Sequence, residues 1–257
     1  MTRGTGLLRD KVVMITGASS GIGAAAGRVF AAEGATVVLM ARREKQLLEL
    51  ADEIAAVGGR AMVTTADVSR ETEVERAVAE AVSRFGRLDA AFNNAGHTAA
   101  GGLLHETDPR IFEQVMDVNV RGVWNCMRHQ IPAMLCSGGP AAIVNTSSVA
   151  GVLAAGPSSA YVAAKHAVLG LTRAAAAEYG RRGVRVNALV VGSTRTEMMD
   201  QVLADTPSLE EAFVARSAQK RMAAPEEIAH SAAWLCSDRA SFVTGAAMPV
   251  DGGWTAV

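Results

Sequence analysis

The sequence predicts a single-domain α/β fold: a doubly wound, seven-stranded parallel sheet with helices on both faces. Three observations carry that prediction. Short runs rich in Val, Ile and Ala alternate with longer amphipathic segments, the order that lays helices across a parallel sheet. A glycine-rich turn follows the first apolar run at once and opens into a helical segment. The chain has 257 residues, 49% hydrophobic and 20% charged, enough apolar material for one sizeable core and too much for a disordered chain.

Residues 11–16 (Lys-Val-Val-Met-Ile-Thr) read as a buried strand, because they form a short β-branched apolar run. Gly17, Gly21 and Gly23 then punctuate the turn before a helix over 24–33, which Gly34 stops. Glycines let the backbone turn tightly and approach a ligand, while a helix N-terminus faces an anion. Strand, glycine loop and helix together therefore suit the pyrophosphate of a dinucleotide. The spacing is Gly-x-x-x-Gly-x-Gly and not the commoner Gly-x-Gly-x-x-Gly. A second strand, 36–41, runs into Ala41-Arg42-Arg43. Sites that prefer NAD place an acidic residue near this point to bind the ribose 2′-hydroxyl. Two guanidiniums suit a 2′-phosphate instead, through forked hydrogen bonds. The other reading is that both arginines simply open a solvated helix over 44–57.

Gly58-Gly59 ends that helix, and residues 60–66 read as the third strand, with Asp67-Val68 at its exit beside the expected adenine position. An amphipathic helix over 70–85 leads to strand four, 88–92. Asn93-Asn94-Ala95-Gly96 follows directly. That composition makes an ordinary turn, but it also stands at the carboxyl edge of the sheet, where open α/β folds bind ligands. Residues 109–135 form a long helical stretch with Asn119 in an apolar interior. An asparagine there bends the helix or bonds its backbone, and a displaced carbonyl can anchor a water.

Residues 141–146 read as strand five, and a helix runs from Ser158 to 181. Tyr161 and Lys165 lie about one turn apart on one face of that helix, and Ser148 lies at the strand's end within reach of both. Ser147, its neighbour, points to the other face. Bringing a tyrosine from about 10 to about 7 takes roughly 4 kcal/mol, which an ammonium about 4 Å away supplies at an effective dielectric of about 20. The pair is then suited to general acid/base work near neutral pH. Strand six covers 184–190. Residues 191–221 are polar and rich in Met and Glu, and the stretch from about 193 to 221 reads as a mobile lid holding one or two short helices. Pro225 opens a helix whose dipole Glu226 and Glu227 complement, and 246–250 form the last strand.

The formal net charge is −1 and no run of Lys or Arg exceeds two residues, which argues against a nucleic-acid partner. No apolar stretch reaches the length of a membrane span. Residues 1–10 are polar, without a signal-peptide core, so a cytoplasmic location is expected. Cys126, Cys136 and Cys236 read as small buried thiols in a reducing compartment, and no Cys/His grouping has the spacing of metal ligands, so no metal is expected.

Taken in order, Thr16-Gly-x-x-x-Gly-x-Gly23, Asn93-Asn-Ala-Gly96, Asn119, Ser148 and Tyr161-x-x-x-Lys165 closely resemble the classical short-chain dehydrogenase/reductase family. The resemblance extends from about Leu8 to the C-terminus and implies a Rossmann-type fold over 1–257. It implies that Tyr161 is the catalytic acid/base and that Lys165 lowers its pKa and holds the nicotinamide ribose. Ser148 would position the substrate oxygen, and Asn119 would anchor a water in a proton relay. Cofactor contacts carry over to Gly17, Ser19, Ser20, Ile22, Asp67, Val68, Asn93, Thr194 and Thr196, with Gly21, Gly23, Ala95, Gly96 and Gly192 in the same loops and Arg42 and Arg43 at the second strand's exit. Where the family has Pro-Gly after strand six, this chain has Val191-Gly192. Enoyl reductases of similar fold separate the tyrosine and the lysine by six residues. Val168 stands there, which disfavours carbon–carbon double-bond reduction. Sugar epimerases add a C-terminal substrate domain for which this chain has no room.

The expected function is hydride transfer between NADP(H), with NAD(H) as the alternative, and a small-molecule carbonyl/alcohol pair. The competing reading is a non-catalytic nucleotide-binding sensor or structural oligomer of the same fold. His97 reads either as a turn histidine or as a substrate contact, with Val149, Leu153 and Met198 as further substrate candidates. The resemblance also implies a homotetramer assembled through 109–135 and 158–181, where Ala160, Ala163, Ala164 and Ala167 would allow close helix approach.

Overall fold

The computed structural model describes residues 6–99, 102–155 and 157–257, so the first half of the polar stretch 1–10 lies outside the described residues. Seven strands form one parallel sheet: β1 Val12–Thr16, β2 Thr36–Ala41, β3 Arg60–Thr65, β4 Ala90–Asn93, β5 Ala141–Ser148, β6 Val184–Val191 and β7 Ala247–Val250. Their spatial order is β3-β2-β1-β4-β5-β6-β7, with every adjacent pair parallel. The chain starts in the middle, winds outward through β2 and β3, then returns to β4 on the other side of β1. The reversal opens a crevice at the carboxyl ends of β1 and β4, where such sheets bind ligands.

Alternation along β1 explains why both faces are covered. Val13 and Ile15 point into a core built with α1 (Gly21–Ala32), α2 (Glu44–Ala56) and α9 (Pro225–Cys236). Val12 and Met14 point into the opposite core, with α3 (Glu71–Phe85), α5 (Gly122–Ser137) and α6 (Ser159–Tyr179). All five residues of β1 are buried, as a strand covered on both sides must be. Pro249 in β7 lacks an N–H, and β7 sits at the sheet edge, where that loss is tolerated.

One expectation for the helices needs revision, and the short helices expected in 193–221 are present. The stretch expected as one helix over 109–135 is divided. The helix α4 (Pro109–Met116) ends in a π-helical turn, Asp117–Arg121, before α5 begins. The stretch over 193–221 holds two helices, α7 (Glu197–Asp205) and α8 (Leu209–Arg216).

Candidate active site

Strand β5 ends on Ser148, two residues later than its sequence suggested, and a 3-10 turn, Val149–Gly151, follows. The Ser148 Oγ accepts the amide of Ala150, which holds its side chain at the strand's tip. Helix α6 starts where Ser158 Oγ accepts the amide of Tyr161 at 3.3 Å, an N-cap that fixes the tyrosine in the first turn. The half-buried Tyr161 side chain faces Ser148, whose hydroxyl acts to lower the phenol's pKa. Lys165 is 3% exposed. Its Nζ donates to the carbonyl of Thr146 at 3.0 Å and stands 5.4 Å from the centre of the Tyr161 ring. Asn119 is fully buried in the π turn. Its Nδ2 donates to the carbonyls of Val115 and His97, each at 2.8 Å, and its Oδ1 accepts the His97 amide at 3.3 Å. Gly96 brings these parts together: a β-carbon on it would lie 3.2 Å from the Asn119 Oδ1 and 3.7 Å from the Lys165 Nζ. The four residues Asn119, Ser148, Tyr161 and Lys165 thus come from three different segments, the π turn, the end of β5 and α6, to the carboxyl edge of β4 and β5.

The electrostatics depart from expectation. Burial pushes the Tyr161 phenol up to about 12, against the smaller opposing effect of the Ser148 hydroxyl. Burial also brings the Lys165 ammonium down to about 8. The expected lowering of Tyr161 by Lys165 is therefore absent here. The ammonium is spent on the Thr146 carbonyl and faces the ring, so desolvation of the phenolate wins.

Beside these groups lies a buried polar network. Asn93 exchanges hydrogen bonds with Gln130 and donates to Asn145, which donates in turn to Thr172. The Asn93 side chain is thus fully engaged inside the molecule. Ser147 is a residue the sequence left without a role. Its Oγ donates to the carbonyl of Lys165 at 2.9 Å, tying α6 to β5 at the lysine itself.

On the other side of the crevice, Gly17 has a φ of +68° and Gly21 a φ of +51°, conformations that a side chain resists. Thr16 Oγ1 accepts the amides of both Asn94 and Ala95, pinning the β1 exit to the β4 exit. The N-cap of α1, Ser20, makes no side-chain cap, so the amides of Gly21, Ile22 and Gly23 at the head of the helix are not capped from within it. Thr194 Oγ1 donates to the Gly192 carbonyl, and Thr196 caps α7 through the Met199 amide. A β-carbon on Gly192 would meet Asp251 at 2.7 Å, so this glycine is needed whether or not a proline precedes it. Val191 is the last rung of β6, in register with Ser148 and Val250. Val68 packs on Gly122, and its carbonyl accepts from Asn125. An uncapped helix start, tight glycine turns and two arginines form a donor set that fits a diphosphate-linked dinucleotide.

Both arginines have acidic neighbours that the sequence does not reveal. Arg42 is largely exposed, with Asp67 Oδ2 at 3.8 Å from its Nη1. Arg43 is forked onto Glu197. Among the substrate candidates, His97 carries a buried Nε2 with no hydrogen-bond partner, and burial together with the charge of Arg42 holds its pKa below the usual range. Val149 is 4% exposed and packs with Leu169, Val190 and Trp254, so it is a core residue more than a pocket wall. Leu153 and Met198 remain exposed.

A parallel sheet with its crevice at this switch point, and a serine, tyrosine and lysine gathered at its edge, define a nucleotide-dependent oxidoreductase fold. A family model described as "Enoyl-(Acyl carrier protein) reductase" matches residues 17–255. The chain belongs to the classical short-chain dehydrogenase/reductase family, whose members use a nicotinamide cofactor. It is 54% identical over 255 residues to the A-factor type gamma-butyrolactone 1'-reductase (1S-forming) of Streptomyces virginiae, covering 99% of each chain. A 2,5-dichloro-2,5-cyclohexadiene-1,4-diol dehydrogenase of Sphingobium indicum is 43% identical, with 97% of this chain and 99% of that one covered. The crystal structure of a levodione reductase superposes with a TM-score of 0.92 at 36% identity, covering 97% of this chain and 99% of the other. These relatives are named for alcohol and carbonyl chemistry, although the family model's description names an enoyl reductase. Among the described residues, no helix is long and apolar enough to cross a membrane.

Proposed function

We propose that this protein is an NADP(H)-dependent ketone reductase acting on a carbonyl attached to or part of a ring. The observation that carries the reading is the contact between Tyr161 and Ser148 at the buried end of β5, with Lys165 behind them. When bound, the nicotinamide supplies the hydride that goes to the carbonyl carbon. The chain supplies everything else. Ser148 holds the carbonyl oxygen, and Tyr161 gives it the proton that completes the alcohol. Lys165, within reach of the same cleft, holds the nicotinamide ribose and returns positive charge toward the phenolate as it forms. Asn119 displaces the helix carbonyls that lead a replacement proton in. A phenol raised to about 12 is fully protonated at neutral pH, which suits the direction in which it must give a proton away.

Preference for NADP(H) rests on Ala41 and Arg42. No carboxylate follows β2 before Glu44, and a guanidinium stands where a 2′-phosphate would arrive. The ring-bearing substrate class rests on the 54% identity to a γ-butyrolactone 1′-reductase, with ring-alcohol relatives further out. The site residues, a cytoplasmic location and a homotetramer complete the reading.

The test follows NADPH oxidation by absorbance, with an acyl-γ-butyrolactone bearing a 1′-ketone beside a simple cyclohexanone, each also run with NADH. Turnover faster with NADPH, and higher kcat/KM on the lactone, is expected. Tyr161→Phe should lower kcat by at least about a hundredfold while NADPH still binds. Binding without turnover on either ketone would instead favour a sensor.

A further inference from the structure

Glu197 is the first residue of α7, directly after the capping Thr196. Its carboxylate takes Arg43 in a fork, with Nη1 to Oε1 at 2.9 Å and Nη2 to Oε2 at 2.8 Å, and the nearby Ser20 hydroxyl helps hold its pKa low. Arg43 completes the arrangement on the glycine loop, its Nε donating to Ser19 Oγ at 3.2 Å and its Nη2 to the Ser19 carbonyl at 3.4 Å. Ser19, Ser20 and Arg43 are read above as cofactor groups. The Glu197 carboxylate therefore sits on Arg43 in the forked geometry a phosphate would use, while Ser19 accepts from the same guanidinium.

We propose that Glu197 is a specificity-determining residue for the cofactor: by holding Arg43 in a fork and setting a negative charge beside the β2 exit, it restrains the preference for a 2′-phosphate. This rests on the reading of the β2 exit as the 2′-phosphate site. One of the two arginines there is neutralised in advance, and the other, Arg42, has Asp67 at 3.8 Å. Discrimination then falls to a single exposed guanidinium against two nearby carboxylates. NADP(H) and NAD(H) differ only in the 2′-phosphate, so any effect of Glu197 on the shared pyrophosphate cancels in the ratio of their affinities.

The experiment is isothermal titration of NADP+ and NAD+ into wild type, Glu197→Gln, Glu197→Ala and Glu197→Asp, with kcat/KM for both reduced cofactors at one fixed ketone. Thermal melting checks that each variant is folded. Both neutral variants are expected to raise the NADP/NAD affinity ratio about tenfold, the low end of a charge-assisted contact because the groups are half exposed. Glu197→Asp keeps the charge and should keep the ratio within about twofold of wild type. A ratio unchanged or lowered in both neutral variants overturns the proposal. A wild type that binds NAD+ more tightly would sink the NADP(H) reading above, but the rise on neutralising Glu197 would stand or fall separately.

Discussion

Lys165 shows how a single buried charge records its environment. Its folded pKa, about 8, lies below the 10.5 of the free side chain because burial disfavours the ammonium. Between those two values the unfolded chain holds a proton that the folded chain has released. Stability therefore rises with pH across this window, and the penalty is fully present below about pH 8. Lys165→Met removes the group. The variant should be the more stable at about pH 7, by up to roughly 3 kcal/mol less the lost Thr146 hydrogen bond, and that advantage should shrink by about 2 kcal/mol by about pH 9.5. Tyr161 titrates with the opposite sign above about pH 10, so the comparison stops short of it. Urea unfolding of both proteins at the two pH values measures the difference. An advantage that held constant or grew with pH would mean that the lysine is not held against its charge. The positions of Tyr161, Lys165 and Ser148 were legible in the sequence because i and i+4 on a helix is a fixed geometry. The direction of the Tyr161 shift was not, because it depends on where the ammonium points, and the Thr146 carbonyl decides that.

At the scale of the element, the π turn between α4 and α5 is the feature hydrophobic periodicity hides. Its period differs from that of an α-helix by little over so short a run, so residues 109–135 read as continuous. Asn119 is what the turn is built around, since its amide ties the turn to the Val115 carbonyl of α4 and to the His97 carbonyl after β4. Asn119→Ala would remove these hydrogen bonds, at a cost on the order of 3 kcal/mol, lowering Tm by about 6–12 °C. Amide exchange at His97 should accelerate in the same variant. A melting temperature within about a degree of wild type, with His97 still protected, would show that the turn holds without it. The strands were the easiest elements to find, because a parallel sheet covered on both faces gives unbroken apolar runs. Glu197 and Asp67 as partners of the two arginines were out of reach. They meet Arg43 and Arg42 only through the folding of the α7 segment over the glycine loop and the register that sets Ala41 beside Thr65.

For the whole molecule, the proposed tetramer is the least settled by local pattern. Two of the four alanines expected at a helix–helix contact, Ala160 and Ala164, pack inside the chain with Val115. What faces outward is larger: Phe112 on α4 and Trp124 on α5 are about half exposed, and Phe242 is fully exposed. Light scattering is expected to give about four times the 26.7 kDa of the chain, and Trp124→Glu to lower that mass by charging the α5 surface. A wild-type mass equal to one chain would remove the assembly from the reading. The sheet itself carries a consequence for how the protein reaches this state. It contains no hairpin, so no strand can find its neighbour by a short closure. Val12 must meet Thr36, Val13 must meet Ala90, and Ala141 must meet Val184. Each of those searches loses chain entropy before any rung of the ladder returns it. The crevice proposed for the dinucleotide lies between β1 and β4, which is also the longest of these closures. The part of the molecule that does the binding is thus the part whose assembly waits on the greatest length of chain, and topologies of this kind fold slowly.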